Sequence, residues 1–264
     1  MKNYLVIGNP IEHSNSPQLH NHWFKINNIN AIYKKKKLNL SDLKDLTSKI
    51  KNLEINGANV TVPFKKDIIP YMDELSLEAR KTQSVNTIYL NNNKLVGHNT
   101  DVEGFEIAIK ETKFDLYRKK IFILGAGGVV PSIIYALNKT NVSEIIITNR
   151  TKSKADLLRN LFNNISIVDW GEIPNFDMII NATSLGLNIK DEINLDFSNA
   201  EKEKFFYDVI YNPQETNFLK KAKKRGNKTE NGKKMFIYQA AAAFNIWHNI
   251  YPKINNEVYK LLNK

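Results

Sequence analysis

The chain of 264 residues contains no cysteine, which excludes disulfide bonds, thiolate metal sites and cysteine nucleophiles. Histidine is scarce, with five copies and no HExxH pattern. His20 and His22 are two positions apart, a spacing that directs them differently on a helix, so no metal site is predicted. No apolar run approaches the roughly 20 residues that cross a bilayer, and the first one, Tyr4 to Ile7, is too short for a signal peptide. A cytoplasmic protein without a membrane segment is expected.

Acidic residues are outnumbered, since 38 lysines and arginines accompany 27 aspartates and glutamates and give a formal net charge of +11. Such a charge favours contact with anions, nucleic acids among them. The lysines are nevertheless spread along the chain, and the one dense run, Lys34 to Lys37, is typical of an edge strand protected from aggregation. Because neither a clustered basic helix nor an aromatic platform occurs, no nucleic-acid partner is predicted. The positive field suits an anionic substrate and a phosphorylated cofactor.

A buried strand followed by a glycine cluster lies near the middle of the chain. Four apolar residues, Ile121 to Leu124, have the composition of a strand covered on both faces, as in a parallel sheet. The next four residues are Gly125, Ala126, Gly127 and Gly128. Such a loop lets the backbone approach a pyrophosphate at a helix N-terminus. Val130 stands where the G-x-G-x-x-G pattern has its third glycine, so a plain tight turn is the alternative.

The next predicted strand supplies a signal for cofactor specificity. It covers Glu144 to Thr148 and is followed by Asn149, Arg150 and Thr151. A NAD-binding domain usually places an acid at this strand end for the ribose 2′-hydroxyl, whereas arginine suits a 2′-phosphate. No acid occurs here, and Lys154 adds positive charge, which predicts NADP with Arg150 pairing the phosphate. A solvated basic helix start is the alternative.

Polar side chains follow two predicted strands in the first part of the chain. Ser14 and Ser16 come after Tyr4 to Ile7 and open a helix, where hydroxyl and N–H groups can hold an anion. Plain N-capping by Ser16 is the alternative interpretation. A short strand interrupted by Pro63 delivers Lys65 to its carboxyl end, which is where ligands bind in open α/β sheets.

Short motifs follow one another along the whole chain. In the first part they are Ser14-x-Ser16-Pro17, Asn59-Val60-Thr61-Val62-Pro63-Phe64-Lys65, Val85-Asn86-Thr87 and Asn99-Thr100-Asp101-x-x-Gly104. The glycine loop, Asn149-Arg150-Thr151 and Asn181-Ala182-Thr183-Ser184 come next, then Asp208-x-x-Tyr211-x-Pro213 and Gln239-Ala240-Ala241-x-x-Phe244-x-x-Trp247. In this order and at this spacing, the motifs resemble those of the shikimate dehydrogenase family over essentially the entire chain.

The resemblance implies NADPH-dependent reduction of 3-dehydroshikimate to shikimate, a step of aromatic amino-acid (chorismate) biosynthesis. Hydride delivery to a ring ketone builds negative charge on its oxygen, which requires a proton donor or a cation within hydrogen-bond reach. Lys65 can supply both, and the family pattern pairs it with Asp101, which would orient it and hold a substrate hydroxyl. Which of the two carries the transferred proton is left open. Without the resemblance, an ordinary surface salt bridge would be favoured.

The remaining site residues follow from the resemblance, position by position. Ser14 and Ser16 correspond to the pair that holds the substrate carboxylate, and serine rather than threonine at Ser16 favours shikimate over quinate. Substrate contacts are further implied for Thr61, Asn86, Tyr211 and Gln239, and cofactor contacts for Gly125, Ala126, Gly127, Gly128, Asn149, Arg150, Thr151, Lys154, Thr183 and Gly232. For the neighbouring Ser184, a turn of no special purpose is the alternative.

Alternating strands and helices, together with the resemblance, predict an α/β fold. Residues 1–101 are expected to form an open, mostly parallel α/β substrate-binding and catalytic domain, and residues 102–236 a Rossmann-type NADP-binding domain. Residues 237–264 are expected to be C-terminal helices that return to the substrate domain. The two domains would meet at a cleft that holds the reactants. A monomer or a homodimer is expected.

Three places in the sequence depart from the family pattern, and two alternatives remain open. Ser84, Val102 and the run Val129-Val130-Pro131-Ser132 stand where the family often has glycine or other small residues, which bears on cofactor affinity rather than on the proton-transfer pair. An enzyme that uses quinate or NAD would share nearly all of the motifs. A non-catalytic NADP-binding regulator would keep the glycine loop, but it would have little reason to keep Lys65 and Asp101.

Overall fold

The computed structural model describes residues 1–188, 190–197 and 202–263. The chain divides into two compact units, of which the first combines Met1–Gly104 with Ile237–Lys264 and the second covers Phe105–Phe236. Each unit contains a six-stranded sheet accompanied by helices, which confirms the predicted α/β class. Over the described residues, no helix is long and apolar enough to cross a membrane, and no three His, Cys, Asp or Glu side chains are grouped to hold a metal ion.

Strands and helices alternate along most of the chain. The strands are β1 (Lys2–Gly8), β2 (Ala31–Lys37), β3 (Gly57–Val60), β4 (Glu74–Leu75), β5 (Thr87–Asn91), β6 (Lys94–His98), β7 (Lys120–Leu124), β8 (Glu144–Thr148), β9 (Ile165–Ile167), β10 (Met178–Asn181), β11 (Phe205–Asp208) and β12 (Lys228–Glu230). The helices are α1 (Ser16–Ile26), α2 (Leu43–Lys51), α3 (Leu77–Thr82), α4 (Asp101–Thr112), α5 (Val130–Asn138), α6 (Lys152–Leu161), α7 (Asn217–Lys224), α8 (Lys233–His248) and α9 (Asn256–Leu261). Short 3₁₀ helices occur at Leu40–Asp42 and Ile69–Tyr71.

The sheet of the first unit has the strand order β2-β1-β3-β5-β6-β4. β1 pairs in parallel with β2 and β3, and β4 pairs in parallel with β6, whereas β5 runs antiparallel to β3 and β6. The carboxyl ends of β1 and β3 therefore meet at one edge of the sheet, where ligands bind in open α/β folds. β2 is an outer strand, and its four lysines, Lys34 to Lys37, are exposed as predicted for an edge strand.

Helix α8 packs its apolar side on aromatic residues of the first unit. Its small residues, Ala240 to Ala243, are all buried and allow close packing. Trp247 Nε1 donates a hydrogen bond to the Ile88 carbonyl oxygen at 3.1 Å. A side chain at Gly57 would lie 2.5 Å from the same nitrogen, so glycine is needed beneath the indole. Phe244 and Trp247, three positions apart on one face of the helix, are therefore packing residues.

The sheet of the second unit is parallel throughout, with the strand order β12-β11-β10-β7-β8-β9. β7 occupies a central position, and Ile121 to Leu124 are completely buried, as expected for a strand covered on both faces. The chain order reverses between β7 and β10, since β8 and β9 extend one side of the sheet and β11 and β12 the other. Open α/β sheets bind ligands at such a switch point, outside the carboxyl ends of the strands.

Candidate active site

Two ionisable side chains meet in the first unit, one placed by the segment after β3 and the other by the start of α4. Lys65 Nζ donates a hydrogen bond to Oδ2 of Asp101, the first residue of α4. The two side chains are only 12% and 9% exposed, so water screens their attraction weakly, unlike that of a solvated surface pair. In the described part of the chain no other acceptor takes the remaining Lys65 N–H groups, which can therefore point at a ligand oxygen.

Asn86 holds the second carboxylate oxygen of this pair. Its Nδ2 donates to Asp101 Oδ1 at 2.9 Å and to Thr100 Oγ1 at 3.0 Å. Its Oδ1 accepts from the Thr100 backbone N–H at 2.8 Å, which settles the orientation of the amide because an NH₂ group does not accept. Both N–H groups of Asn86 are thus in use. A substrate hydroxyl that bonds Asn86 would have to replace the Thr100 hydroxyl.

Further polar side chains continue from Asn86 into the interior of the unit. Thr87 Oγ1 donates to Asn86 Oδ1 at 2.9 Å, and Asn59 Nδ2 donates to Thr87 Oγ1 at 3.0 Å. The Tyr33 hydroxyl donates to Asn59 Oδ1 at 2.6 Å and also hydrogen-bonds the Ser16 side chain. We call Tyr33, Asn59, Thr87 and Asn86 the buried polar chain. The sequence analysis did not identify Tyr33 or Asn59 as site residues. Asn59 is the first residue of one family motif, which could have pointed to it, whereas Tyr33 stands in no motif.

The predicted carboxylate-binding serines lie together after β1. Ser14 Oγ is 3.2 Å from Ser16 Oγ, and the Ser16 backbone N–H donates to Ser14 Oγ at 3.3 Å. Ser16 is buried and is the first residue of α1, whereas Asn15 takes the N-cap position. The alternative interpretation of Ser16 as a helix cap is therefore wrong. Thr61 follows β3, and its backbone N–H donates to the Ile7 carbonyl oxygen of β1 at 2.9 Å.

Two predicted substrate contacts are placed on other elements. Gln239 is half-buried on α8, in the part of the helix that belongs to the first unit. Tyr211 belongs to the second unit, where its ring stacks on Phe236 with the ring centroids 4.2 Å apart. The structure thus brings Lys65, Asp101 and Asn86 into direct contact, and it places Gln239 and Tyr211 in segments later in the chain.

The glycine loop follows β7 in the second unit. Gly125 has a φ of +109°, which L side chains rarely adopt, and a Cβ there would lie 2.9 Å from the Ala182 carbonyl oxygen. The loop therefore packs directly on the segment that follows β10. Ala126, Gly127 and Gly128 are at least partly accessible to solvent, and helix α5 begins two residues later with a proline in its first turn. The positive end of the α5 dipole lies at this loop and favours a phosphate there.

The segment after β10 is held by a buried amide and a buried carboxylate. Asn181 Oδ1 accepts from the Thr183 N–H at 3.1 Å and the Thr183 hydroxyl at 2.7 Å, while its Nδ2 donates to Asp208 Oδ1 at 3.0 Å. Asp208 is completely buried, and this burial raises the pKa of its carboxyl to about 6, although Thr216, Asn181 and the Ile210 N–H all donate to it. Thr183 is thus fixed beside Gly125.

Residues 149–154 after β8 include three cations, Arg150, Lys152 and Lys154, and no carboxylate. Asn149 Nδ2 donates to the Thr151 carbonyl oxygen at 2.8 Å, and the Lys154 backbone N–H donates to the same oxygen at 3.1 Å. Arg150 and Lys154 are exposed, and no acid within residues 1–188, 190–197 and 202–263 pairs with either side chain. This donor set fits the 2′-phosphate of NADP, because a guanidinium fork and an ammonium both favour phosphate oxygens.

Gly232 lies immediately before α8. Its backbone N–H donates to the Ile210 carbonyl oxygen at 3.1 Å. A Cβ at this position would lie 2.0 Å from the Val209 carbonyl oxygen, so the two backbone segments approach each other only because residue 232 is glycine. This contact fixes the start of α8 against the segment that follows β11 and carries Tyr211.

The chain matches family models, curated sequences and solved structures of shikimate dehydrogenases. Residues 6–88 match the family model of the shikimate dehydrogenase substrate binding domain, and residues 106–220 match that of shikimate / quinate 5-dehydrogenase. The shikimate dehydrogenase (NADP(+)) of Pelagibacter ubique is 56% identical over 99% of this chain and 98% of its own length. The solved shikimate dehydrogenase of Aquifex aeolicus has a TM-score of 0.91 at 35% identity, covering 99% of this chain and 97% of that one. The enzyme of Thermus thermophilus, solved with NADP(H) and shikimate, has a TM-score of 0.89 at 28% identity and the same coverage.

Proposed function

Because the chain belongs to the shikimate dehydrogenase family, we propose how its own residues carry out the reaction of that family. The protein is an NADP-dependent oxidoreductase that reversibly reduces 3-dehydroshikimate to shikimate, a step of aromatic amino-acid biosynthesis. NADPH supplies the hydride when it is bound. The observation that carries the assignment of roles is the enclosed ion pair of Lys65 and Asp101.

Lys65 is the proton donor of the reduction. As the carbonyl carbon of the substrate gains a hydride, its oxygen becomes basic and takes a proton from the Lys65 ammonium, and in the reverse direction the neutral amine takes it back. The same ammonium stabilises the negative charge that develops on this oxygen. Asp101 holds the ammonium in place through Oδ2. Its carboxylate offers about four lone-pair positions, which leaves room for a substrate hydroxyl beside Lys65 and Asn86.

The substrate carboxylate binds at Ser14 and Ser16, where two hydroxyl groups and the first turn of α1 favour an anion. The ring hydroxyls are taken by polar side chains, which we assign as Thr61, Asn86, Tyr211 and Gln239. A site built to pair several hydroxyls discriminates strongly against analogues that lack one of them, because its own polar groups would be left unpaired.

NADP is held by residues of the second unit. The pyrophosphate would be held at the backbone of Gly125, Ala126, Gly127 and Gly128, because a glycine loop before a helix lets the backbone approach phosphate oxygens closely and a Cβ at Gly127 would meet no atom nearer than 3.8 Å. Arg150 and Lys154 bind the 2′-phosphate, with Asn149 and Thr151 beside them. Thr183 and Gly232 are the remaining cofactor contacts, and both lie in backbone segments that close packing fixes in position.

Several wider expectations stay predictions. The first unit is assigned to substrate binding and the second to NADP, with residues 1–101, 102–236 and 237–264 as the boundaries expected from the sequence. A cytoplasmic location, a monomeric or homodimeric state and the absence of a nucleic-acid partner are also expected.

The function is tested by following absorbance at the reduced-nicotinamide band in mixtures of the purified protein with shikimate and NADP. Rapid reduction of NADP is expected, with much slower reaction when quinate replaces shikimate or NAD replaces NADP. Comparable rates with quinate or NAD would assign the chain to the broader quinate and shikimate enzymes. No turnover in a folded protein that binds NADP would favour the regulator and contradict the proposed roles.

Lys65→Ala tests the role of the lysine. General acid catalysis contributes about 100-fold to 10,000-fold, so kcat is expected to fall by that range while NADP binding is unchanged. Lys66→Ala is the matched control, because Lys66 is the neighbouring and exposed lysine. Near-normal turnover of Lys65→Ala, or an equal loss in Lys66→Ala, would show that Lys65 is not the proton donor.

A further inference from the structure

The buried polar chain connects the two serines with the reacting ion pair, yet binding and proton transfer by themselves require only its last member, Asn86. Its four residues are at most 7% exposed. Burying an unpaired hydroxyl or amide costs about 1–3 kcal/mol, so a buried row of such groups persists only when its members pair with one another. Every member of this chain has a partner on both sides.

The hydrogen bonds of this chain have one possible direction. Asn86 Oδ1 only accepts, so the Thr87 hydrogen points at it, and the Thr87 oxygen then accepts from Asn59 Nδ2. Asn59 Oδ1 only accepts, so it uses the single hydrogen of the Tyr33 hydroxyl. Tyr33 can consequently only accept from Ser16. Every donor therefore points away from the serine and toward the catalytic carboxylate.

We propose that Tyr33, Asn59 and Thr87 are positioning residues that align Asn86, and through it the Asp101 carboxylate, with a substrate carboxylate bound at Ser16. This inference rests on the proposed function, which places the substrate carboxylate at the serines and proton transfer at the ion pair. None of the three residues bonds Lys65 or Asp101 itself. Thr87 Oγ1 also lies 3.3 Å from the Thr100 hydroxyl, which is itself hydrogen-bonded to Asn86.

The effect of the chain is geometric and does not involve proton movement. The amides of Asn59 and Asn86 accept through oxygen and donate through nitrogen, so a proton cannot pass along them without converting each amide into an imidic acid. What the chain fixes is the direction in which Asn86 presents its N–H to Asp101 Oδ1. A displacement of about 1 Å at a reacting group can cost about 100-fold in rate, which makes such alignment important for turnover.

Substrate binding changes the first link of the chain. Ser16 has one hydroxyl hydrogen, and without substrate this hydrogen is directed at Tyr33. A bound carboxylate competes for the same hydrogen, so Tyr33 loses the bond that it accepts and keeps the bond that it donates to Asn59. The state of the chain therefore depends on whether the serines hold a carboxylate.

Thr87→Val and Thr87→Ser provide the main test, because valine keeps the branched shape without the hydroxyl and serine keeps the hydroxyl. In Thr87→Val, kcat is expected to fall between about ten-fold and about 100-fold, with the KM for shikimate and the Kd for NADP within about two-fold of wild type. Thr87→Ser is expected to recover kcat to within about three-fold of wild type, because the hydrogen bond to Asn86 is restored. With NADPH deuterated at the transferred position, the isotope effect on kcat is expected to rise in Thr87→Val, because the chemical step becomes slower.

Tyr33→Phe tests the far end of the chain, where the hydroxyl is two residues away from Asn86. A smaller loss of kcat is expected, and the double variant Tyr33→Phe/Thr87→Val is expected to be no slower than Thr87→Val, because both act through Asn86. Tyr4→Phe is the matched control. Tyr4 is also a buried tyrosine packed against Trp247, at 4.8 Å between ring centroids compared with 6.2 Å for Tyr33, and it lies outside the chain.

The outcomes separate this inference from the function on which it rests. A wild-type enzyme that does not turn over shikimate with NADP overturns both. An active wild type with unchanged kcat in Thr87→Val, or with equal losses in Tyr33→Phe and Tyr4→Phe, overturns the inference alone. A lower thermal midpoint with unchanged kcat and isotope effect would show a purely structural role and would also overturn it. If Thr87→Val does not fold, the comparison of Tyr33→Phe with Tyr4→Phe decides.

Discussion

Two cations near the end of β8 differ in what surrounds them. Lys152 Nζ lies 2.8 Å from Asp169 Oδ1 and is already paired, which raises the pKa of this lysine through that hydrogen bond. Arg150 is exposed, and the described residues provide no acid that pairs with it. Asp169 already offsets part of the Lys152 charge, whereas the charge of the Arg150 guanidinium is not offset by a paired acid. We therefore expect Arg150, rather than Lys152, to select NADP.

Arg150→Ala is expected to weaken NADP binding and leave NAD binding unchanged. A hydrogen bond to a charged group contributes about 1.5–3 kcal/mol, so the Kd for NADP should rise between about ten-fold and about 150-fold. The measurement is calorimetric titration of both cofactors into the variant and into the control Lys152→Ala. Equal weakening in both variants, or an equal loss of NAD affinity in Arg150→Ala, would mean that Arg150 does not recognise the 2′-phosphate.

The contacts of single residues show where sequence interpretation reaches its limit. Lys65 and Asp101 could be paired from the sequence because each stands in a motif with an order typical of one family. The link from Tyr33 to Asn59 could not, because the two residues are 26 positions apart and their hydrogen bond exists only after the sheet has formed. A tyrosine in a predicted strand is otherwise typical of packing, and nothing in its neighbours indicates a polar partner.

At the scale of an element, the loop between β7 and α5 contains two glycines with different surroundings. Gly125 has a φ of +109°, and its Cβ would meet the Ala182 carbonyl oxygen at 2.9 Å and Thr183 Cγ2 at 3.0 Å. At Gly127, the nearest atom to a Cβ is 3.8 Å away, which is ordinary contact distance, and its φ is not positive. Gly125 is thus required by the fold, whereas Gly127 is required only if a ligand approaches the backbone.

Substitution of each glycine by alanine is expected to distinguish a requirement of the fold, at Gly125, from a requirement of cofactor binding, at Gly127. Gly125→Ala should lower the free energy of unfolding by about 1–3 kcal/mol, because it combines backbone strain with a steric overlap. Gly127→Ala should keep the thermal midpoint of wild type and weaken NADP binding, because its methyl group would occupy the space of the pyrophosphate. Thermal unfolding and NADP titration of both variants test this pair. Gly127→Ala with wild-type NADP affinity would argue against the pyrophosphate site.

Strands with a continuous apolar run could be predicted from the sequence, and some of the shortest elements could not. β7 and β8 have the expected bounds to within a residue, because continuous apolar runs specify them. β5 begins only at Thr87, since the Val85 N–H donates to the Lys65 carbonyl oxygen at 2.8 Å instead of to a neighbouring strand. β4, β12 and α3 were not predicted, because their two to six residues are too few to establish a period.

At the scale of the whole molecule, the histidines are distributed unevenly, because all five lie in the first unit. His20 is completely buried and stacked on Tyr33 with the ring centroids 4.2 Å apart. Burial lowers its pKa to about 3, and burial also lowers the pKa of His248 to about 4 and that of His98. In the second unit, burial raises the pKa of the Asp208 carboxyl to about 6, so this group takes up a proton more readily in the folded than in the unfolded chain.

Acid is therefore expected to destabilise the first unit selectively. The unfolded chain binds a proton at each histidine below pH 6.5 while folded His20 stays neutral to about pH 3, so the stability that depends on neutral His20 is lost as pH falls through that window. Between about pH 6 and about pH 4, His20 alone should remove about 2 kcal/mol from the free energy of unfolding. Asp208 acts in the other direction, because its folded form gains a proton as pH falls through about 6, and so the second unit gains stability from this group.

Urea unfolding of Trp170→Phe measures this effect, because its remaining tryptophans, Trp23 and Trp247, both belong to the first unit. The emission midpoint is expected to move to lower urea between pH 6 and pH 4. His20→Phe in the same background should show a shallower pH dependence, whereas His13→Gln, at an exposed position, should follow the parent. If the urea midpoint of His20→Phe falls between pH 6 and pH 4 by as much as that of the parent, groups other than His20 cause the loss of stability in acid.

The first unit is built from two separate segments, Met1–Gly104 and Ile237–Lys264, and this arrangement has a consequence for synthesis. A ribosome completes the entire second unit before α8 can bring Trp247 to its place above Gly57. At about 5–20 residues per second, the early segment waits on the order of ten seconds with the aromatic rings that α8 will cover, such as Tyr4 and Phe24, still exposed. The second unit, which is continuous in sequence, can fold during that interval. The nascent chain is therefore expected to need protection by chaperones at its beginning until its last helices have been translated.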